Sequence, residues 1–226
     1  MFNAPLAFKM FGVDTEEALR AKLAGTRTDL TPDETASILA CLNEFDSPRY
    51  CEIGVYFGGN FNLINEWLRD NKKDFHMFGI DLFEDLEGEP QTEQTHDLYN
   101  KWNILNVASK EGLEASLNDM GAIKFSLHKG RSDEIPQSLP EKCDVFFIDG
   151  NHSYAQALAD ANACLLNAKK GSYLVFHNAS NNIEPDPQYV ARDGGPWAVC
   201  ELLSQRENLS YVRLVDRCGI LRVDDV

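Results

Sequence analysis

Residues 146–178 read FFIDGNHSYAQALADANACLLNAKKGSYLVFHN, and this segment says more about the fold than any other part of the sequence. An apolar run at 145–148 leads directly into Asp149, and a second run at 173–176 leads directly into His177. The stretch between them has the length and pattern of a helix, so the segment predicts two parallel strands joined by a helix. The carboxyl ends of parallel strands collect at one edge of a sheet, where open α/β sheets bind ligands.

Four polar side chains are therefore expected to cluster at that edge. Asp149 and His177 end the two strands, Asn178 follows directly, and His152 lies three residues past Asp149. Plainer interpretations remain open. Asp149 and His152 could cap or bond the first turn of the helix. His177 could be a satisfied buried histidine, and Asn178 could be an ordinary turn former.

Strand and helix patterns alternate along the rest of the chain. Strands are predicted at 50–56, 77–81, 123–128, 144–149 and 172–177, helices at 60–70, 110–119, 154–168 and 196–205, and a closing hairpin at 211–215 and 219–223. This alternation predicts an α/β fold with a mostly parallel seven-stranded sheet, helices on both faces and an antiparallel hairpin at one edge.

The sequence predicts a boundary between two parts of the chain after residue 47. A helix is predicted after Thr31, with Pro32 suited to its first position, and Pro48 follows its end. We therefore expect an N-terminal helical cap at 1–47 and the main domain at 48–226. The long polar segments 82–106 and 179–195 leave the same edge of the sheet, where long loops are often functional; the alternative is that they are surface insertions.

Composition narrows the classes of protein. The 226 residues carry a formal charge of −15, which repels phosphate backbones and argues against a nucleic-acid partner. No apolar run approaches the roughly 20 residues that span a bilayer, and the N-terminus lacks the pattern of a signal peptide. The six cysteines are scattered without a CxxC pair, which predicts reduced core thiols in a cytoplasmic protein.

A glycine-rich turn follows the first predicted strand. Residues 50–60 read YCEIGVYFGGN, which brings the backbone at Gly54 and Gly58 close to any ligand there. The spacing is neither GxGxxG nor a Walker loop, and on its own it is equally consistent with a tight turn from strand to helix. Asp81 ends the next strand, where an acid is well placed to bind ribose hydroxyls.

These motifs, in this order, resemble a known family. YCEIGVYFGGN, FGIDLF, HKGRSDEIP, CDVFFIDGNHSY and GSYLVFHN together are similar to class I S-adenosylmethionine-dependent O-methyltransferases with a Rossmann-like fold. The likeness is strongest to the metal-dependent branch, which includes the catechol, caffeoyl-CoA and macrolide-sugar O-methyltransferases. It covers about residues 31–223.

The resemblance implies a cofactor site. The residues that it places around S-adenosylmethionine are Glu52, Gly54, Tyr56, Gly58, Asn60, Asp81, Ser132, Asp133 and Asp149. Asp81 would hold the ribose hydroxyls, while Ser132 and Asp133 would contact the adenine. For Asp133, capping of a helix that starts at Ser132 is an equally simple interpretation.

The resemblance also implies the catalytic and metal-binding residues. His152 would be the general base, a role that an ordinary histidine pKa near 6.5 suits. Asp149, His177 and Asn178 would bind a divalent metal, with Asp149 and His177 also counted as catalytic. The family's second pair of ligands contains at least one carboxylate, whereas this chain has His177 and Asn178. Three outcomes are therefore open: Mg²⁺ is bound weakly, a softer metal is bound, or the metal is lost.

The expected reaction is methyl transfer to a hydroxyl of a small molecule such as a sugar, a phenol or a natural product. Candidate acceptor contacts in the long segments are Tyr99, Trp102, Tyr189, Arg192 and Trp197. Two other classes remain open: an inactive cofactor-binding protein, and a nucleotide-sugar or dinucleotide enzyme on a similar sheet. A homo-oligomer is also compatible with the sequence.

Overall fold

A seven-stranded sheet forms the centre of the protein. The computed structural model describes residues 4–23, 28, 30–83, 109–179 and 187–226. The strands are β1 Arg49–Ile53, β2 His76–Asp81, β3 Phe125–Lys129, β4 Cys143–Ile148, β5 Ala168–Phe176, β6 Leu209–Val215 and β7 Cys218–Val223. Their order across the sheet is β3-β2-β1-β4-β5-β7-β6, with β7 antiparallel to both of its neighbours and the other pairs parallel. The predicted sheet is confirmed.

Helices surround this sheet. Those in the described part are α1 Ala4–Phe11, α2 Glu16–Leu23, α3 Pro32–Asn43, α4 Gly59–Asn71, α5 Lys110–Asp119, α6 Tyr154–Asn167 and α7 Pro187–Ser204, with a short 3-10 helix at Pro136–Ser138. Thr31 caps α3, and its side chain and that of Glu34 form a reciprocal capping box. This is the helix start that the sequence predicts.

Several boundaries differ from the prediction, for reasons of backbone geometry. β1 ends at Ile53 rather than at residue 56, because Gly54 adopts a left-handed conformation with φ +84° and cannot continue the strand. β3 begins at Phe125 rather than at residue 123, because Lys124 has φ +53°. Helix α7 begins at residue 187, upstream of the predicted start, and carries Pro196 inside it.

Two apolar cores lie on opposite faces of the sheet. Alternate residues of β4 point to opposite sides, so Val145 and Phe147 belong to one core and Phe146 and Ile148 to the other. All four are at most 4% exposed. A strand covered on both faces reads as a continuous apolar run, which explains why residues 145–148 were so informative in the sequence.

The strand order places the site. β1 and β4 are neighbours in the sheet although β2 and β3 lie between them in the sequence, so the order reverses between β1 and β4. Hydrogen bonding continues past the strand ends, since the Asp149 N–H donates to the Ile53 carbonyl at 2.9 Å and the His177 N–H to the Ile148 carbonyl at 3.1 Å. The turns after β1, β4 and β5 therefore lie side by side at a topological switch point, where such sheets bind ligands.

The remaining composition-based predictions concern cysteines and membranes. All six cysteines are buried and none forms a disulfide, as predicted. None of the helices in the described ranges has the length and apolarity required to cross a bilayer.

Candidate active site

Gly54 brings two turns of the site into contact. A Cβ atom at this position would lie 2.2 Å from the Asp149 carbonyl oxygen, far inside van der Waals contact. The positive φ of Gly54 independently favours glycine. Only glycine therefore allows the turn after β1 to pack against the turn after β4, and this packing brings the predicted cofactor turn next to the predicted catalytic residues.

Asp81 holds the glycine turn from the end of β2. Its Oδ2 accepts the N–H of Tyr56 at 2.9 Å, and its Oδ1 accepts the N–H of Phe83 at 3.0 Å. A carboxylate oxygen accepts more than one hydrogen bond, so this arrangement fixes the carboxylate and leaves it able to accept ligand hydroxyls. Tyr56 has φ +52°, and its contact with Asp81 stabilises that conformation.

A buried polar cluster lies beneath the glycine turn. Glu52 is 1% exposed, and its Oε2 accepts the Tyr50 hydroxyl at 2.6 Å and the Asn60 amide at 2.9 Å. Burial raises the pKa of Glu52 to about 8, because it outweighs these two hydrogen bonds, and the nearby Asp149 and Asp81 carboxylates add to the increase. Asn60 Oδ1 is buried and has no hydrogen-bond partner among the described residues.

The turn after β3 contacts two polar side chains of helix α6 that the sequence analysis did not single out. Asp160 Oδ1 accepts the Ser132 hydroxyl at 2.7 Å and the Gln156 amide at 2.8 Å. Burial raises the pKa of Asp160 to about 6. Asp133 instead pairs with Arg131 at 2.8 Å, and this contact lowers the pKa of Asp133. Of the predicted adenine contacts, Ser132 is thus joined to a buried network and Asp133 to a local ion pair.

Asp149 joins the two predicted catalytic histidines. Its Oδ1 lies 2.9 Å from His177 Nδ1 and 3.2 Å from His152 Nε2. Burial by itself would raise the pKa of Asp149, but the charge and hydrogen bonds of the two imidazoles hold it well below its ordinary value. His152 is 24% exposed and His177 2% exposed, so His152 is the imidazole that a ligand can reach.

His177 lies between two carboxylates. Its Nε2 is 3.7 Å from Oε2 of the buried Glu34, on the side opposite Asp149. Burial alone would lower the pKa of His177, but Asp149 and Glu34 together raise it to about 9. Burial would raise the pKa of Glu34, but the nearby His177 imidazolium and the hydrogen bonds from Arg217 and Thr31 instead lower it to about 2. The sequence showed Glu34 only as a residue in the first turn of a helix.

The predicted metal ligands do not fit a metal site in this arrangement. Both ring nitrogens of His177 face carboxylates, and a protonated imidazole has no lone pair to offer a metal. The described residues contain no group of three His, Cys, Asp or Glu side chains arranged to hold an ion. Asn178 Oδ1 is buried and lacks a partner among the described residues, but one acid and one amide are too few ligands for a hard cation. Metal assistance stays a prediction.

The acceptor side of the site is only partly described. Trp197 lies on α7 and is partly buried. The other candidate acceptor contacts, Tyr99, Trp102, Tyr189 and Arg192, lie outside the residues whose side chains the structure describes.

The fold and the placement of these turns define a class I methyltransferase architecture. Comparison with known families agrees: residues 51–179, more than half of the chain, match the family described as methyltransferase domain. The chain belongs to this family, as the order of its sequence motifs implies.

An individual protein that the chain matches shares less than a third of its sequence over the aligned part. The chain is 29% identical over 150 residues to the uncharacterized protein R132 of Acanthamoeba polyphaga mimivirus, covering 61% of this chain and 54% of that protein. It therefore spans about half the length of the curated relative that it matches.

Solved structures share the fold. The O-methyltransferase TomG of Streptomyces achromogenes, in complex with SAM, has a TM-score of 0.58 at 16% identity, with 97% of this chain and 86% of TomG covered. An O-methyltransferase of Bacillus cereus in complex with SAH has a TM-score of 0.56 at 16% identity, with 98% and 91% covered. The O-methyltransferase NovP has a TM-score of 0.65 at 14% identity, with 88% and 83% covered.

Proposed function

We propose that this protein transfers a methyl group from S-adenosylmethionine to a hydroxyl of a small molecule, with His152 as the general base. The observation that carries the proposal is the contact between the Asp149–His152 pair and the Gly54 turn. This contact puts a base beside the turn that the family resemblance assigns to the cofactor. The net charge of −15 favours a small acceptor over nucleic acid.

The cofactor fits the polar groups around the glycine turn. S-adenosylmethionine, when bound, supplies a methyl group already activated by a positively charged sulfur. Glu52, Asp81 and Asp149 provide three acids around the turn, and Asn60 Oδ1 provides a buried acceptor without a partner among the described residues. Asp81 suits the ribose hydroxyls because it ends β2, next to the switch point.

The contribution of His152 to the reaction is removal of the acceptor proton. The acceptor oxygen would gain the methyl group as the methyl–sulfur bond of the donor breaks, neutral S-adenosylhomocysteine would leave, and the proton of the acceptor O–H would pass to His152. The carboxylate of Asp149, 3.2 Å from the ring, stabilises the imidazolium that forms and orients the ring. Alignment of the acceptor with the methyl group supplies much of the remaining rate, on the order of 7–11 kcal/mol in well-oriented systems.

The first test is transfer of labelled methyl groups from S-adenosylmethionine to a panel of sugars, phenols and catechols. The protein is treated with EDTA, and each acceptor is then assayed with and without Mg²⁺ or Mn²⁺, which tests metal assistance directly. Binding of S-adenosylhomocysteine without transfer to any acceptor would favour the inactive cofactor-binding alternative. Binding of NAD instead would favour the dinucleotide enzyme.

Replacement of His152 tests the base. We expect His152→Ala to lower turnover at least about 100-fold, because the acceptor proton loses its receiver. The affinity for S-adenosylhomocysteine, measured by calorimetry, should stay within about threefold of the wild type. His76→Ala is the matched control, because His76 contacts Glu141 and Ser126 at the start of β2, at the opposite edge of the sheet. Unchanged turnover in His152→Ala would falsify the assignment.

A further inference from the structure

We infer that Glu34 is a positioning residue of this active site: through His177 it fixes Asp149, and through Asp149 it orients His152. The inference rests on the proposed function for its catalytic meaning, whereas its geometry stands on the contacts alone. Glu34 lies on α3 and its partner Arg217 in the turn between β6 and β7, so both are outside the residues 51–179 that match the methyltransferase family.

Glu34 is held more firmly than a helix cap requires. It is 0% exposed, and both of its oxygens accept hydrogen bonds. Oε1 accepts the backbone N–H of Arg217 at 2.9 Å and its Nε–H at 3.1 Å, while Oε2 accepts the Thr31 N–H at 2.7 Å and Arg217 Nη2 at 3.1 Å. A capping box needs only the contact with Thr31. The guanidinium of Arg217 therefore gives the buried carboxylate a positive partner and a fixed orientation that the cap alone does not supply.

The carboxylate held in this way faces the imidazole of His177. The ring is almost fully buried between Asp149 Oδ1, 2.9 Å from Nδ1, and Glu34 Oε2, 3.7 Å from Nε2. The second distance is too long for a hydrogen bond but lies within the range of an ion pair. A ring nitrogen that carried a lone pair would be repelled by the carboxylate that it faces, so both nitrogens carry hydrogen. The two carboxylates together set the orientation of the ring.

The charges alternate along the whole series. Arg217 is positive, Glu34 negative, His177 positive and Asp149 negative, and Asp149 then contacts His152. A buried charge without its partner is costly, so removal of one member disturbs the next. Without the charge on Glu34, nothing in the described structure holds Nε2 of His177, and the ring can rotate away from Asp149. The carboxylate that orients His152 then loses its fixed position.

Glu34→Gln tests this series while sparing the helix. Glutamine also serves in a capping box, so the start of α3 is expected to form. The matched control is Glu44→Gln, which removes the same charge at the other end of α3, where Glu44 Oε2 accepts the Tyr173 hydroxyl at 2.6 Å. The ring signals of His152 and His177 are followed by ¹⁵N–¹H NMR and assigned from the signals missing in His152→Asn and His177→Asn.

In the wild type we expect two ring N–H signals from His177. In Glu34→Gln the Nε2–H signal should be lost and the His152 signals should shift, whereas Glu44→Gln should match the wild type. Arg217→Lys, which keeps a cation but cannot bridge both oxygens of Glu34, should shift the His152 signals in the same direction and serves if Glu34→Gln does not fold. In the Glu44→Gln control, binding of S-adenosylhomocysteine should stay within about threefold of the wild type.

Two results would overturn the inference. One is a single ring N–H from His177 in the wild type, and the other is unchanged His152 signals in folded Glu34→Gln or Arg217→Lys. Failure of the wild type to bind S-adenosylhomocysteine defeats the proposed function instead, and the NMR result remains readable without it. Once an acceptor is found, Glu34→Gln should lower kcat at least about tenfold with the KM for S-adenosylmethionine unchanged.

Discussion

At the scale of single residues, Gly54 carries the closest packing in the site. Gly54→Ala forces a Cβ to within 2.2 Å of the Asp149 carbonyl oxygen and places alanine at φ +84°. The positive φ alone costs about 1–2 kcal/mol, and overpacking adds about 1–3 kcal/mol. We expect urea unfolding to show the full loss, and calorimetry to show little binding of S-adenosylhomocysteine.

Gly171 provides the control for Gly54. It has φ +91°, but a Cβ there meets nothing within 4 Å, so Gly171→Ala should show only the conformational part of the loss. If the two variants lose equal stability, the contact between the two turns has no energetic importance.

The buried carboxyl group of Glu52 should change its protonation when the cofactor binds. Its pKa of about 8 keeps it mostly protonated at about pH 7, and a positively charged cofactor nearby should lower that pKa. Binding of S-adenosylmethionine should therefore release a proton. Calorimetry in two buffers with different ionisation enthalpies measures this release, and Glu52→Gln should abolish it. Equal binding enthalpies in both buffers for the wild type would contradict the prediction.

Some residues of the candidate active site could be predicted from the sequence and others could not. Asp149, His152 and His177 are close because each lies at or just past the end of a neighbouring strand, and strand ends are visible in a sequence. Arg217 meets Glu34 across 183 positions, through the packing of α3 against the C-terminal hairpin, which no local pattern encodes. Asp160 gave a weaker signal as an acid within a mostly apolar helix, and its burial could have been suspected.

At the scale of secondary structure, helix α7 packs tightly on the start of α6. A Cβ at Gly195 would lie 2.2 Å from the His152 carbonyl oxygen and 2.6 Å from the Tyr154 nitrogen. Gly195→Ala should push the two helices apart, lower stability by about 1–3 kcal/mol and displace His152. Thermal unfolding and the His152 NMR signals measure the two effects.

Gly112→Ala on α5 is the control for Gly195. The nearest atom to its Cβ would be the Ser109 hydroxyl oxygen at 3.2 Å, and alanine raises helix propensity, so stability should change little or increase by up to about 1 kcal/mol. A Gly195→Ala variant as stable as this control would show that α7 is not confined by the His152 turn.

Elements with a clear apolar period were predictable, and the two short N-terminal helices were not. Strands and helices with a clear apolar period matched the prediction, whereas α1 and α2 have eight residues each and contain too few turns to show a period. Pro196 suited the first turn of a helix, so the predicted start fell there, yet α7 continues through it. The structure gives no local reason for that continuation.

At the scale of the whole molecule, the buried ionisable groups predict how stability varies with pH. The pKa of His177 is raised from 6.5 to about 9, so its contribution is complete below pH 6.5 and is lost as the pH rises through 9. The pKa of Glu52 is raised from 4.5 to about 8, so its contribution to the free energy of unfolding is complete below pH 4.5 and is also lost as the pH rises, up to about pH 8. Glu34, with a pKa lowered to about 2, loses its contribution as the pH falls from 4.5 to 2.

The free energy of unfolding should therefore be greatest near pH 4.5, decline above it because of Glu52, and decline more steeply above pH 6.5, where the loss from His177 adds to that from Glu52. Urea unfolding at a series of pH values measures this profile. His177→Gln should flatten the decline above pH 6.5 while leaving the part due to Glu52. A stability that rises from pH 6.5 to 9 would show that His177 is not stabilised as a cation.

The absence of any side chain at Gly54 has a consequence for the order of events during turnover. The backbone of one turn rests directly on the carbonyl of the other, so a molecule that settles into the first turn also steadies the second. The methyl donor should thus enter before the acceptor and complete the surface on which the acceptor is later held. The protein would then bind its two substrates in a fixed order, because Gly54 has no Cβ atom to separate the two turns.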